Sequence, residues 1–268
     1  MQLISLINVT KLLVSVGFLA YASWSDFKTR EVSNTVWLFF APPAFTLTAI
    51  ELLLYGNLQQ LLLYGLCFGL TATFAIILFY TGGFGGADAK ALMCLALALP
   101  FYPKELFLPL SGTPSPISQI FFPVTIFSNA VLLAAATAIY MLFRNIFWRW
   151  RTGKKLFEGY EEASFGKKIL VLLTGYKVSV GKLRDKWHVY PMEDLEENTS
   201  KRKLVVIPKD EGRDAIVQRL AKAVEEGKID DRVWATPGLP MLIFITAGLI
   251  LALVVGDIVW VCIRLLLK

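Results

Sequence analysis

Histidine is almost missing from this chain: His188 is the single example in 268 residues. With no second histidine there is no HExxH run, so a zinc protease of that kind is excluded. A Ser-His pair could form only around His188. Cysteine is scarce too. Cys67, Cys94 and Cys262 lie inside apolar runs without CxxC spacing, which excludes a zinc knuckle and a disulfide scaffold. They read as small packing residues. Charge is thin at 18%, against about 25% in an ordinary soluble domain, and it is unevenly spread.

What fills the chain is apolar. Hydrophobic residues make up 56% and mean hydropathy is +0.58, the profile of an integral membrane protein. Six runs reach membrane length, at about 3–25, 35–55, 59–80, 89–110, 121–146 and 238–263. The first carries only Lys11 and has no basic leader with a small-residue cleavage site, so it reads as a retained span. The fourth is interrupted by Pro100, Pro103 and Pro109, and reads alternatively as a short helix followed by a loop. Trp24, Trp37, Trp148, Trp150, Trp234 and Trp260 fall at run ends, as interfacial anchors do.

Between the fifth and sixth runs lies a polar segment holding 20 of the 27 Lys and Arg residues. A strand is expected at Lys203–Ile207, stopped by Pro208, and another near Lys186–Tyr190. Asp210 offers an N-cap, after which Ile216, Val217, Leu220 and Val224 recur at helical spacing until Gly227. The expected architecture is an all-α membrane bundle of six transmembrane helices with a small α/β cytoplasmic domain inserted before the last helix. Residues 1–146 and 236–268 form the membrane domain and 147–235 the insert. Lys28, Arg30, Lys90 and the basic segment fall in loops on one side, which the positive-inside rule assigns to the cytoplasm.

Two acids stand out against this background. Asp88 follows four glycines in Gly82-Gly83-Phe84-Gly85-Gly86-Ala87, between two apolar runs. An acid at mid-bilayer costs roughly 2.5–3.5 kcal/mol, so its presence there asks for a reason. Asp26 closes the first run. By topology both emerge on the same face. Taken singly, each is equally a helix cap or an interfacial charge. As a pair, close carboxylates share one proton, and the ionised and protonated members can serve as base and acid on a water and an amide nitrogen. Glu51 and Asp257 fall near run ends on the opposite face and read as interfacial or packing residues.

Gly85-Gly86-Ala87-Asp88, with Lys90 two residues on, resembles the GxGD motif of the type IV prepilin peptidases. Asp26, followed eight residues later by Asn34, resembles that family's other site. The archaeal branch, the preflagellin (prearchaellin) peptidases, is the most similar: six spans, an insert before the last, and no zinc-binding cysteine segment. Trp234-Ala235-Thr236-Pro237-Gly238-Leu239-Pro240 is also similar to that branch. Ala87 stands where the family has its second glycine, and Ser33 where it has proline.

The resemblance implies a GxGD-type aspartic endopeptidase in the cell membrane. Asp26 and Asp88 would be catalytic, with Gly85, Gly86, Ala87, Lys90 and Asn34 supporting them. Its substrates would be archaellin or pilin-like precursors, cut at a short class III signal peptide on the cytoplasmic side. No cofactor, metal or nucleic acid is implied. The basic insert would meet acidic patches or lipid headgroups. Two alternatives stand on the same residues: a presenilin-like protease cutting within a span, and a transporter or assembly factor using the acids as an ion or proton relay.

Overall fold

The computed structural model describes residues 2–82, 84–195, 202–205 and 212–267. The strand end at Val206–Ile207, Pro208, the Asp210 cap and Gly83 lie outside them. Two compact units emerge, Met1–Ala134 with Pro240–Lys268, and Ala135–Leu239.

The first unit is helical. In chain order come α1 (Gln2–Thr29), α2 (Asn34–Tyr55), α3 (Leu58–Tyr80), α4 (Gly86–Ala98), α5 (Pro116–Ile120) and the start of α6 (Phe122–Thr152). After the second unit, α10 (Met241–Val254) and α11 (Ile258–Leu266) complete it. Four helices, α1, α2, α3 and α6, are long and apolar enough to cross a membrane. A fifth crossing exists if α10 and α11, bent by 55° at their break, count as one span. The protein is therefore a multi-pass membrane protein, with four or five candidate spans rather than the six expected. The shortfall is α4. At about 1.5 Å per residue its 13 residues fall well short of a ~30 Å core, because Pro100 and Pro103 end the helix early.

That short helix organises the unit. Helices α1, α2, α3 and α10 all pack against α4. The core cluster joins Leu19, Phe40, Leu95, Ile126 and Leu249 from five different helices. Gly248 permits a close approach of α10 to α6. A Cβ there would sit 2.5 Å from the Ile126 carbonyl oxygen and 2.9 Å from the Ala130 nitrogen.

The last span breaks at Gly256, whose φ is 101°. Asn129 holds the break, donating to Gly256 O at 2.9 Å and accepting from Ile258 N at 3.1 Å. Asp257 caps α11 by accepting from Trp260 N, and takes a second hydrogen bond from Ser115 Oγ. Lys11, buried in α1, pairs with Glu51 of α2. The pairing, rather than exposure, is what tolerates a cation there.

The second unit carries the sheet. Strands β1 (Tyr176–Ser179), β2 (Val189–Pro191) and β5 (Arg232–Pro237) form an antiparallel sheet in the order β1-β5-β2, and β3 (Glu193–Leu195) pairs with β4 (Arg202–Leu204). Helices α7 (Phe165–Thr174), α8 (Val180–Asp185) and α9 (Arg213–Glu225) accompany them. The expected helix over Ile216–Val224 is α9, burying Val217 and Leu220. The expected strand at 186–190 begins only at Val189. Trp234 is no interfacial anchor. It lies on the central strand β5, fully buried and stacked on Phe157 at 5.1 Å. Trp37 is likewise buried. Each sits on the inward face of its element, which run-end position alone does not reveal.

Candidate active site

Asp26 occupies the last turn of α1. That helix ends at Arg30, a non-glycine residue in the left-handed region (φ 58°) whose N–H returns to Asp26 O at 3.0 Å. An L-residue there is unusual, and it reverses the chain within four residues. Ser33 then caps α2, accepting from Thr35 N at 3.3 Å. A capping serine thus makes the turn at the position where the resemblance led one to look for proline. Asn34 is the first residue of α2.

Asp88 is the third residue of α4. Its Oδ2 accepts from the Gly85 backbone N–H at 3.0 Å, half of a capping box. Gly85 has to be small here. A Cβ would lie 3.1 Å from that same Oδ2. Gly86 and Ala87 are the first two helical residues, and Gly86 backs onto the Phe79 ring. Lys90 points away toward α2, donating from Nζ to Asn34 Oδ1 at 2.6 Å.

The C-terminus of α1 and the N-termini of α2, α4 and α10 gather at one end: Lys90 of α4 bonds Asn34 of α2, Ser23 Oγ of α1 lies 2.7 Å from Thr246 Oγ1 of α10, and α1 packs against α4 and along α10. Pro240 precedes α10 and supplies no side-chain cap. Among the described residues, the Asp26 and Asp88 carboxylates do not hydrogen-bond each other. Both are half-buried, so water can reach them. Lys11, Glu51 and Glu105 sit at the other end of α1 and α2 and take no part.

An apolar groove of about 580 Å³ runs between α1 and α2 beside this end. Leu13, Gly17, Phe18 and Phe39 line it, and it reaches Ser33 and Thr35, the residues on either side of Asn34. Gly17 leaves it open, with nothing within 4 Å of where a Cβ would be. No group of three or more His, Cys, Asp or Glu residues that could hold a metal occurs among the described residues.

Residues 13–142 match the model of the type IV leader peptidase family, and residues 167–258 match the archaeal peptidase A24 C-terminus, type II. The chain belongs to the type IV leader peptidase family. It is accordingly a hydrolase, an aspartic peptidase. Both family matches fall in order along one chain, the first covering α2 to α5 entire and the second most of the sheet unit. The chain is 27% identical over 248 residues to the preflagellin peptidase of Methanococcus voltae, covering 89% of this chain and 92% of that one. It is 25% identical, with the same coverage, to that of Methanococcus maripaludis. The preflagellin peptidase of Methanocaldococcus jannaschii is 22% identical over 255 residues, 91% of this chain and 92% of its own. In this peptidase the two acids at the end of α1 and the start of α4 are thus the groups to weigh for chemistry.

Proposed function

We propose that this peptidase removes the short class III signal peptide of archaellin or type IV pilin-like precursors at the cytoplasmic membrane face, using Asp26 and Asp88 to activate water. The observation that supports this reading is that the helices bearing the two acids, α1 and α4, pack together, with Lys90 bonded to Asn34 between the two motifs.

The chemistry follows from that placement. The ionised carboxylate takes a proton from water as the oxygen adds to the scissile carbonyl carbon. The protonated partner delivers its proton to the leaving amide nitrogen, and the C–N bond breaks to give an acid and an amine. In this reading the pair works with one carboxylate ionised and the other protonated, which a shared site of two acids favours. Gly85 leaves room for the Asp88 carboxylate, Gly86 and Ala87 start its helix, and Lys90 with Asn34 joins the two motifs. The precursor's apolar helix would lie along the groove between α1 and α2. That sets the leader–helix junction next to Asn34 and the acids. In this reading the bundle has six spans, α4 and the proline-rich stretch after it forming an incomplete one. The insert and the acids then face the cytoplasm with Lys28, Arg30 and Lys90.

The test pairs conservative variants with a defined precursor. Membranes holding the wild type, Asp26→Asn or Asp88→Asn would be mixed with a preflagellin, and product masses measured. Loss of leader removal in both variants supports the reading. Wild-type cleavage by either one refutes it. Moving the cleavage sequence to mid-helix separates it from the presenilin-like alternative, which would still cut.

A further inference from the structure

The second unit contains a charged pocket lined by none of the residues proposed above for leader removal. Its volume is about 340 Å³, and Trp148, Lys177, Arg202 and Arg232 are among its lining residues. Lys154 and Lys155 add two more cations, against the carboxylates of Glu158 and Asp230. The excess is positive, and the cations are unequally engaged. Lys154 is paired with Asp230 at 2.7 Å. Arg202 is held by Glu193, a fully buried acid that also accepts from Tyr160 Oη and from Trp234 N at 2.7 Å. Glu193 thereby fixes Arg202, which lies over the Tyr160 ring at 4.8 Å.

Lys177 differs. It rises from β1 over the rings of Tyr160 and Trp234, 5.2 and 5.0 Å from their centroids. No hydrogen bond or ion pair engages its ammonium among the described residues. Lys155 and Arg232, both exposed, are also without an ion pair among them. Burial pushes the Lys177 pKa down to about 8, so at neutral pH it is a cation held with too little solvent, acted on by Glu193 and Asp230 but in direct contact with neither among the described residues. A partly desolvated ammonium set on aromatic faces and lining a concave pocket is suited to an anion.

The pocket's place in the chain indicates which anion. Trp148 lies near the end of α6, a candidate span, and Trp150 beside it is exposed. Tryptophans there sit at headgroup depth. The same unit exposes Phe165, Ile169 and Leu170 on α7, beside Lys167 and Lys168. An amphipathic helix with that mixture suits the interface of an anionic leaflet.

We propose that this pocket binds a phosphate group, presented by the headgroup of an anionic membrane lipid, with Lys177 as its central cation. The pocket volume suits a headgroup better than an extended acidic peptide, and point-charge lysines suit phosphate oxygens. Binding would hold the sheet unit at the membrane surface independently of the peptidase site.

The experiment uses purified full-length protein in neutral detergent, with bound ligand counted by native mass spectrometry and titrated calorimetrically. The probes are dihexanoyl phosphatidic acid, dihexanoyl phosphatidylcholine, inorganic phosphate and a tetraglutamate peptide. The expected result is one saturable phosphatidic acid, with phosphatidylcholine markedly weaker. Lys177→Met keeps the apolar length over the rings, and Lys155→Gln changes only an exposed side chain. Each should weaken the lipid about fivefold or more, since a lysine near an anionic headgroup contributes about 1 kcal/mol. Equal binding of phosphatidylcholine, or unchanged binding in both variants, overturns the proposal. Tighter binding of tetraglutamate overturns it in favour of an acidic protein partner. Saturable inorganic phosphate without lipid binding overturns the lipid as the source.

Discussion

Lys90 donates a 2.6 Å hydrogen bond from Nζ to Asn34 Oδ1, joining the residue two past Asp88 to the residue eight past Asp26. An exposed bond of this kind adds little stability, but it fixes the start of α4 against the start of α2. Lys90→Met and Asn34→Ala should each lower kcat/KM for precursor cleavage by roughly tenfold. The double variant should be no worse than either single one, since coupled partners give interaction energies of about 0.5–3 kcal/mol. Additive losses would mean that the two residues act separately.

Gly85 is confined by the carboxylate that folds back onto its N–H. In Gly85→Ala the new methyl, built 3.1 Å from Asp88 Oδ2, forces that oxygen to move. Cleavage should fall by roughly 3- to 30-fold with the protein still folded, because small misplacements of a reacting group are costly. Ala87→Gly should leave the rate near wild type and cost about 0.5–1 kcal/mol of helix stability. Rates and detergent melting midpoints measured side by side distinguish the two effects.

The fold of the helical unit rests on a close approach and a clamp. Gly248→Ala drives a methyl into the Ile126 carbonyl and should destabilise by about 1–3 kcal/mol. Asn129→Leu strands Gly256 O and Ile258 N at the break in the last span. Its cost should also be about 1–3 kcal/mol. Both would appear as lower unfolding midpoints, with Lys90–Asn34 variants as unaffected controls.

Lys177 makes the sheet unit pH-sensitive. Its folded pKa of about 8 lies below the ordinary 10.5, so the unfolded chain binds the proton more tightly. Stability must then rise with pH between about 8 and 10.5, as the buried ammonium is discharged, and the penalty is full below 8. Burial dominates this shift. Glu193 and Asp230 oppose it and Arg202 reinforces it. Hydrogen exchange of β1 and β5 amides, compared between wild type and Lys177→Met at each pH, should show a difference that closes across that window. A constant difference would contradict it.

Much of this could be read in the linear chain. Long apolar runs located α1, α2, α3 and α6, because hydrophobic length is local information. The spacing of Ile216, Val217, Leu220 and Val224 located α9 for the same reason. The acids Asp26 and Asp88 were legible as exceptions, since charge beside membrane-length sequence is costly wherever the chain goes. Other features were not legible. The 13-residue length of α4 depends on how Pro100 and Pro103 are accommodated, and the bend at Gly256 depends on Asn129, 127 residues away. Trp234 looked like a membrane anchor until strand pairing turned its ring into the core of the sheet unit.

The sequence by itself determined an apolar chain of several membrane-length runs with two outlying acids in short motifs that resemble a peptidase family, because composition, run length and short motifs each act over a few residues. Only the tertiary structure decided that α4 packs against α1, α2 and α10, that Lys90 reaches Asn34, and that the Lys177 ammonium lies over the Tyr160 and Trp234 rings. Those are relations between distant segments, and they arise from how helices and strands pack, which no local pattern specifies.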